Sequence, residues 1–452
     1  MASGTVHRTI RLLQEALEQL EVHIPLGDLE RIGVMVNRAM SAQERSFHTP
    51  EHIFDLVEPD NPHMTLAALF HDIVYYQVDQ GFTNEIKEII DPYINISNGT
   101  ITLNEKIDPS DRAFFGCAAI FGFSPGEQLS AFSGLNEFLS ALVMDVEFEG
   151  KISDRDLLIT TASIEATIPF RGKNKEGLWP PDILKNRIDR TNETFSLGLK
   201  EEEIDHAVTT AVTFANRDVR NFAEDDVGRF LDNTWKLLPE TNPSLRMSGQ
   251  YSIVNYRIAL QKMEGFLGFL DPEAIFCRYK GVPSPEECEA IVRLARRNVD
   301  VATDYLGIKL LTAAILEALA ELTGGDTPVS FFMGDIKAQE KGGRIEHFLP
   351  NPPDKSTADT DETLYNLLAY GRASSSSFDL QNSPLSLFIY SSLGSADYSE
   401  RLRSAKKMFS GEMSHRAFLD EFPRGLISSV AHACGEMAFT RKESLANLFP
   451  AR

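Results

Sequence analysis

Apolar residues recur at spacings of three and four along most of the chain, the period of a helix with one buried face. Ile10, Leu13, Ala16, Leu17 and Leu20 mark an amphipathic first helix. Leu29, Ile32, Met35, Val36 and Met40 mark a second over 28–44. Thr49-Pro50-Glu51 reads as a helix start over 51–57, with a capping hydroxyl, a proline suited to the first turn and an acid at the positive end. After a break at Pro59 to Pro62, residues 63–76 form a largely apolar helix, expected to be buried on several sides. Further helices are predicted over 134–146, 153–167, 201–223, 225–238 and 249–269. Ser284-Pro285-Glu286-Glu287 opens another, which runs to about Leu322 and stops at Gly324-Gly325.

The exceptions are local. Residues 83–128 alternate short helical pieces with loops, and Asn98-Gly99 marks a turn between short strands at 96–104. A basic, Gly- and Pro-bearing loop runs from Pro169 to Pro181, and 324–360 is the most loop-like stretch. Ser374 to Ser377 form a small low-complexity patch. Short helices fill the remainder, and no repeat of 20 to 50 residues appears. The expected architecture is all-α: a domain over 1–280, with insertions about 83–133 and 170–200, then a C-terminal helical domain over 281–452. That second domain could cover an active site, form a homo-oligomer interface or bind a partner.

Composition narrows the function classes more than the fold. A chain of 452 residues with 42% hydrophobic and 24% charged residues can bury a large core. A net charge of −22 argues against broad embrace of a nucleic-acid backbone. It leaves room for a small phosphorylated substrate beside a metal ion. The four cysteines show no CxxC pair, which favours free thiols in a reducing cytoplasm. No signal peptide and no run of eighteen apolar residues is evident, so neither secretion nor a membrane span is expected.

Candidate chemistry concentrates between residues 48 and 71, where four of the ten histidines fall. His48 and His52 stand four apart at a helix start, so both can point to one side. His71-Asp72 follows in the apolar string LAALFHDIVYY. Imidazole plus carboxylate is a ligand set for zinc, iron, manganese or a two-metal site. Burying an acid in such a string calls for a balancing charge, which a metal supplies. No phosphate-cradling GxxxxGK[ST], no GxGxxG after a strand and no GxSxG occurs, which argues against a kinase, a P-loop enzyme, a dinucleotide-binding protein and a serine hydrolase of that type.

The strings RSFHTPEHIFDL and LAALFHDIVYY resemble the metal-dependent HD phosphohydrolases. That family shows Tyr-His-Asn-x-x-His, then Ala-x-x-x-His-Asp-x-x-Tyr, then Asn-Glu-x-x-Ser-Ala and Ile-x-Ala-Thr. Here Asn136-Glu137-Phe138-Leu139-Ser140-Ala141 and Ile164-Glu165-Ala166-Thr167 match the last two. The resemblance covers residues 30 to 225 with gaps. Phe47 stands for the tyrosine and Thr49 for the asparagine, and the stretches before Asn136 and before Asp218 are long. The resemblance implies an HD-type helical bundle whose metal ligands are His52, His71, Asp72 and Asp218. The cofactor would be one or two divalent ions of manganese, iron, zinc, magnesium or cobalt. By analogy with the cyclic-nucleotide phosphodiesterases, His48 would be the general acid. Water activated by the metal would attack, and Glu137 would orient it or hold a ligand. The implied substrate is a phosphate ester or anhydride of a nucleotide or related small metabolite. Two alternatives stand beside this reading: a binding or regulatory protein that has lost turnover, and a di-iron oxygenase.

Weaker candidates surround these. Arg171, Lys173 and Lys175 in the basic loop, and Arg217 and Arg220 beside Asp218, could receive substrate phosphate, with Arg171, Lys173 and Arg217 the leading candidates. Tyr75 and Tyr76 read as core, and His63 as a helix-start residue. Trp179 could be a packing anchor or a pocket wall. Asn216 could hydrogen-bond a ligand or cap a turn. His206, His347, His415 and His432 have no partner pattern.

Overall fold

The computed structural model describes residues 4–247, 250–334, 343–353, 359–376 and 378–449. Parts of the loop-like stretch 324–360, and Ser377 of the serine patch, lie outside the described residues. The fold is all-α: twenty α-helices and three short strands among the described residues. None of those helices is long and apolar enough to cross a membrane.

The chain forms two compact units. Unit 1 comprises residues 1–223 and 271–295, and unit 2 comprises 224–270 and 296–452. This differs from the single cut at 280 expected from sequence. Residues 224–270 belong with the second unit because Trp235 donates to Asp379 (2.8 Å) and Arg257 pairs with Glu317 (2.9 Å). Residues 271–295 return to the first unit through contacts with residues 205 and 216.

Unit 1 holds α1 (Thr5–Gln19), α2 (Leu26–Met40), α3 (Pro50–Leu56), α4 (Pro62–Phe70), α5 (Tyr76–Asp79) and α6 (Asn84–Ile90). The strands β1 (Ile94–Ser97), β2 (Thr100–Leu103) and β3 (Gln128–Leu129) form an antiparallel sheet in that order, with α7 (Arg112–Phe121) between β2 and β3. Then come α8 (Leu135–Phe148), α9 (Asp154–Ala166), α10 (Pro180–Phe195) and α11 (Glu201–Asp218). Asn98 (φ 49°) and Gly99 (φ 76°) make the tight turn between β1 and β2. Helix α9 is central, packing against α4, α7, α8, α10 and α11. Helix α4 buries every side chain from Met64 to Phe70. Each fully buried leucine there contributes about 2 kcal/mol. Helices α1 and α2 touch closely at Gly33, where a Cβ would lie 2.5 Å from the Ile10 side chain.

In unit 2, α12 (Val227–Thr241) and α13 (Ile253–Phe269) precede α14 (Pro285–Thr323), whose first residues count with unit 1. The helices α15 (Val329–Met333), α16 (Glu362–Tyr370), α17 (Pro384–Phe409), α18 (His415–Asp420), α19 (Arg424–Met437) and α20 (Lys442–Leu448) complete it.

Three boundaries depart from the sequence reading. The helix expected over 63–76 stops at Phe70, so His71 and Asp72 stand in the turn beyond it. Side chains draw the backbone out of the helix there: Ser140 accepts from the Val74 amide (3.0 Å), and Asn136 from the Tyr76 amide (3.1 Å). Helix α11 ends at Asp218 and gives way to a 3-10 turn over Arg220–Ala223. The stretch 170–200, read as an insertion, contains α10, which starts at Pro180 where a proline suits the first turn.

Candidate metal centre

Four elements deliver side chains to one small region: α3, the turn after α4, α8 and the end of α11. Helix α3 starts at Pro50 and carries His52 in its first turn. The turn after α4 carries His71 and Asp72, and its shape depends on α8, which supplies Ser140 and Asn136 to the backbone. Gly134, at the start of α8, has φ 91°, and a Cβ there would come within 2.3 Å of the Ile168 side chain. A larger residue would therefore strain the backbone at the start of the helix that shapes the turn and push the Ile168 side chain aside.

The side chains expected from sequence as ligands converge. His52 Nε2 lies 3.1 Å from Asp218 Oδ1 and 3.6 Å from Asp72 Oδ2. His71 Nε2 lies 3.0 Å from Asp72 Oδ2 and 3.6 Å from Asp218 Oδ1. One ligand atom each from His52, His71 and Asp218 fall within 4.8 Å of one another. His71 is 1% exposed, and its Nδ1 lies 3.0 Å from the Ala68 carbonyl. A carbonyl only accepts, so Nδ1 carries the proton, which leaves Nε2 bearing a lone pair in the neutral ring. That buried Nε2 has no hydrogen-bond partner despite the nearby carboxylates.

Charge accumulates in the same place. Glu137, the second residue of the Asn-Glu-x-x-Ser-Ala string, keeps a buried Oε2 without a hydrogen-bond partner. Burial pushes its pKa up to about 7; Asp72 and Asp218 add to the effect, and its backbone hydrogen bond and Arg171 oppose it. Among the protein groups alone, burial works against a charge on His71, but Asp72 and Asp218 outweigh it and hold its pKa well above the usual histidine value. The carboxyls of Asp72 and Asp218 resist the upward push of burial and stay low, because His71 and His52 face them. Two carboxylates and two imidazoles, those of Asp72, Asp218, His52 and His71, approach one another closely enough to fit a divalent cation, which would satisfy the bare nitrogen and balance the charge in one step.

His48 stands beside this cluster. Its ring lies 5.7 Å from that of His52, edge-on to Tyr75 at 4.8 Å and to Phe47 at 4.9 Å. Tyr75, read as core from sequence, is therefore part of the wall that holds His48. Tyr76 packs against Phe82. Arg45 opens the first matching string but carries no sequence signal of its role. Its buried guanidinium clasps Asp79 at 2.9 and 2.6 Å and donates to the Asp72 carbonyl at 2.7 Å. A lone arginine ahead of a helix gives no sign of this, because Asp79 and Asp72 reach it only after α4 has turned back.

The basic candidates are placed differently. Arg171 gives two bonds to Glu165 carboxylate oxygens, at 2.6 and 3.2 Å, and two more to the carbonyls of Glu165 and Ile168. Most of its donors are thus spent inside the protein, and it is an internal brace rather than a receptor for phosphate. Arg187 shares Glu165 at 3.0 Å. Arg171→Ala is expected to lower stability by about 2 kcal/mol in urea unfolding, the range for hydrogen bonds to a charged group. A phosphate-binding role would instead raise KM at unchanged stability. Lys173 lies over the Trp179 ring at 5.2 Å, and Arg217 pairs with Glu58 at 2.5 Å. His63 meets Asp156 at 2.9 Å, which fastens the start of α4 to α9.

Compared with family models, curated proteins and solved structures, the chain matches none.

Proposed function

We propose that this chain is a metal-dependent phosphohydrolase of the HD type, acting on a phosphate ester or anhydride of a nucleotide or related small metabolite. The observation that carries the reading is the convergence of His52, His71, Asp72 and Asp218 around the unpartnered Nε2 of His71. These four residues would hold one divalent ion or two. Such an ion supplies Lewis-acid chemistry, neutralising phosphoryl charge and making water a better nucleophile at neutral pH.

The remaining work falls to the protein's own groups. His48, held by Phe47 and Tyr75, donates a proton to the leaving oxygen. Glu137, whose pKa burial brings to about 7, takes up a proton near the cluster. Arg45 fixes the backbone of Asp72 and so the direction of its carboxylate. The free thiols of all four cysteines suit a reducing compartment such as the cytoplasm.

Elemental analysis of protein purified without chelator tests the centre, followed by a screen of phosphomonoesters, phosphodiesters and nucleotides. His48→Ala should retain the metal while kcat falls by about 10²–10⁴, the usual contribution of a positioned acid. Failure to bind manganese, magnesium, iron, zinc or cobalt, even when added, would overturn the reading.

A further inference from the structure

Asp218 is the last residue of α11. The last turn of a helix lacks onward hydrogen bonds and frays. A ligand there needs another restraint, because a site loose by about 1 Å loses function. The restraint comes from the segment that returns to unit 1 after residue 270. Asn216 exchanges two hydrogen bonds with the backbone of Cys277: its Nδ2 donates to the carbonyl (2.7 Å), and its Oδ1 accepts from the amide (2.8 Å). Two residues along a helix is a rotation of about 200°. Asn216 is therefore gripped on the side opposite Asp218, which faces the cluster.

The same segment holds α11 a second time, about three turns earlier. The Tyr279 hydroxyl donates to Asp205 Oδ1 (2.7 Å), and Lys280 also reaches the Asp205 carboxylate. Lys280 (φ 44°) and Gly281 (φ 86°) form a tight two-residue turn, closed by two hydrogen bonds of 2.9 Å between Tyr279 and Val282. Tyr279 is 6% exposed and packs into the core of unit 1. The segment is thus itself anchored, as a support must be.

We propose that Cys277–Val282 is a clamp that positions Asp218 for metal binding, with Asn216 as the positioning residue. This rests on the metal reading above. It assigns a role to a segment some sixty residues downstream of the ligand, and it separates Asn216, next to the site, from Tyr279, which secures the far end of the same helix.

The test compares manganese affinity of the chelator-stripped full chain, by competition with a fluorescent chelator, for wild type, Asn216→Ala, Asn216→Ser and Tyr279→Phe. Thermal unfolding and circular dichroism run alongside. Asn216→Ala should weaken manganese binding by about 10- to 100-fold, the range for groups that orient a ligand. Tyr279→Phe should lower thermal stability yet leave affinity within about twofold of wild type. If Asn216→Ala does not fold, Asn216→Ser carries the test, with a smaller loss expected. The clamp is overturned if folded Asn216 variants bind like wild type, or if Tyr279→Phe weakens binding as much as they do. A wild type that binds no manganese overturns the metal reading itself, and the clamp with it.

Discussion

On the proposed reading of the His52–His71–Asp218 cluster as a metal centre, His71→Ala, alone or combined with Asp72→Ala, is expected to abolish metal retention, weakening divalent-cation binding by more than about 100-fold. Groups that only orient a ligand account for 10- to 100-fold, and a ligand itself should exceed that. The proposed phosphohydrolase activity should be lost in the same variants, and added manganese should not restore it at concentrations that saturate wild type. The pH dependence has a definite sign. The carboxylates beside His71 raise its pKa, so a proton would compete with a metal for Nε2 across the neutral range. Metal affinity should therefore climb with pH until His71 has lost its proton, then level off. Asp72 and Asp218 are held low and compete little above about pH 4. With the metal removed, the linkage reverses: the imidazolium stabilises the fold below the ordinary histidine pKa, and that stability is lost as pH rises through the raised value. Titration calorimetry at several pH values, together with unfolding of the stripped protein, measures both slopes. An affinity independent of pH between 5 and 8 would count against His71 Nε2 as a ligand.

The helical period made the all-α fold legible, because one apolar face every 3.6 residues is what each packed helix needs. The candidate ligands were also legible, though through pattern and resemblance rather than geometry: His48, His52 and His71-Asp72 lie close in sequence, and Asp218 was placed by analogy. Several features were hidden for physical reasons. The end of α4 at Phe70 depends on Ser140 and Asn136, whose side chains compete for backbone groups from a helix sixty or more residues on. The engagement of Arg171 by Glu165 is local in sequence, but a basic loop gives no sign that its arginine folds back onto the preceding helix. The division into two units was misplaced because the chain leaves unit 1 at 223 and returns at 271, and apolar periodicity carries no information on which helix packs against which. The sequence leaves Asn216 open between a ligand contact and a turn cap. Its partner turned out to be a peptide group at Cys277, and no residue type at that position could have advertised a backbone contact.

Unit 2 contains a buried charge network that no sequence pattern marks, and it sets the largest expected effect on stability. Asp379 accepts from Lys309 Nζ (2.8 Å), Trp235 Nε1 (2.8 Å) and the Tyr256 hydroxyl (3.2 Å), and Arg372 approaches it at 3.6 Å. Lys309 and Arg372 are 4% and 2% exposed, so Asp379 balances cations that water cannot reach. Asp379→Ala should therefore destabilise the protein by about 3–5 kcal/mol, the cost of leaving a buried charge without its partner. Neutralising Lys309 as well, in Asp379→Leu/Lys309→Met, should recover a substantial part, because an apolar pair replaces an unpaired ammonium while Arg372 keeps Asp232 at 3.4 Å. A coupling energy of about 1–3 kcal/mol between the two substitutions is expected. Trp235 sits inside the network and Trp179 is the other tryptophan, so urea unfolding followed by fluorescence in a Trp179→Phe background reports on this core. Burial pushes the Asp379 carboxyl up, but Lys309 and Arg372 prevail and hold its pKa low. Its contribution is thus full above the ordinary carboxylate value, about 4, and fades as pH falls below it. A loss under about 1 kcal/mol in Asp379→Ala, or strict additivity in the double variant, would mean that these charges are already relaxed by solvent, and that packing alone holds α12, α14 and the 378–383 segment together.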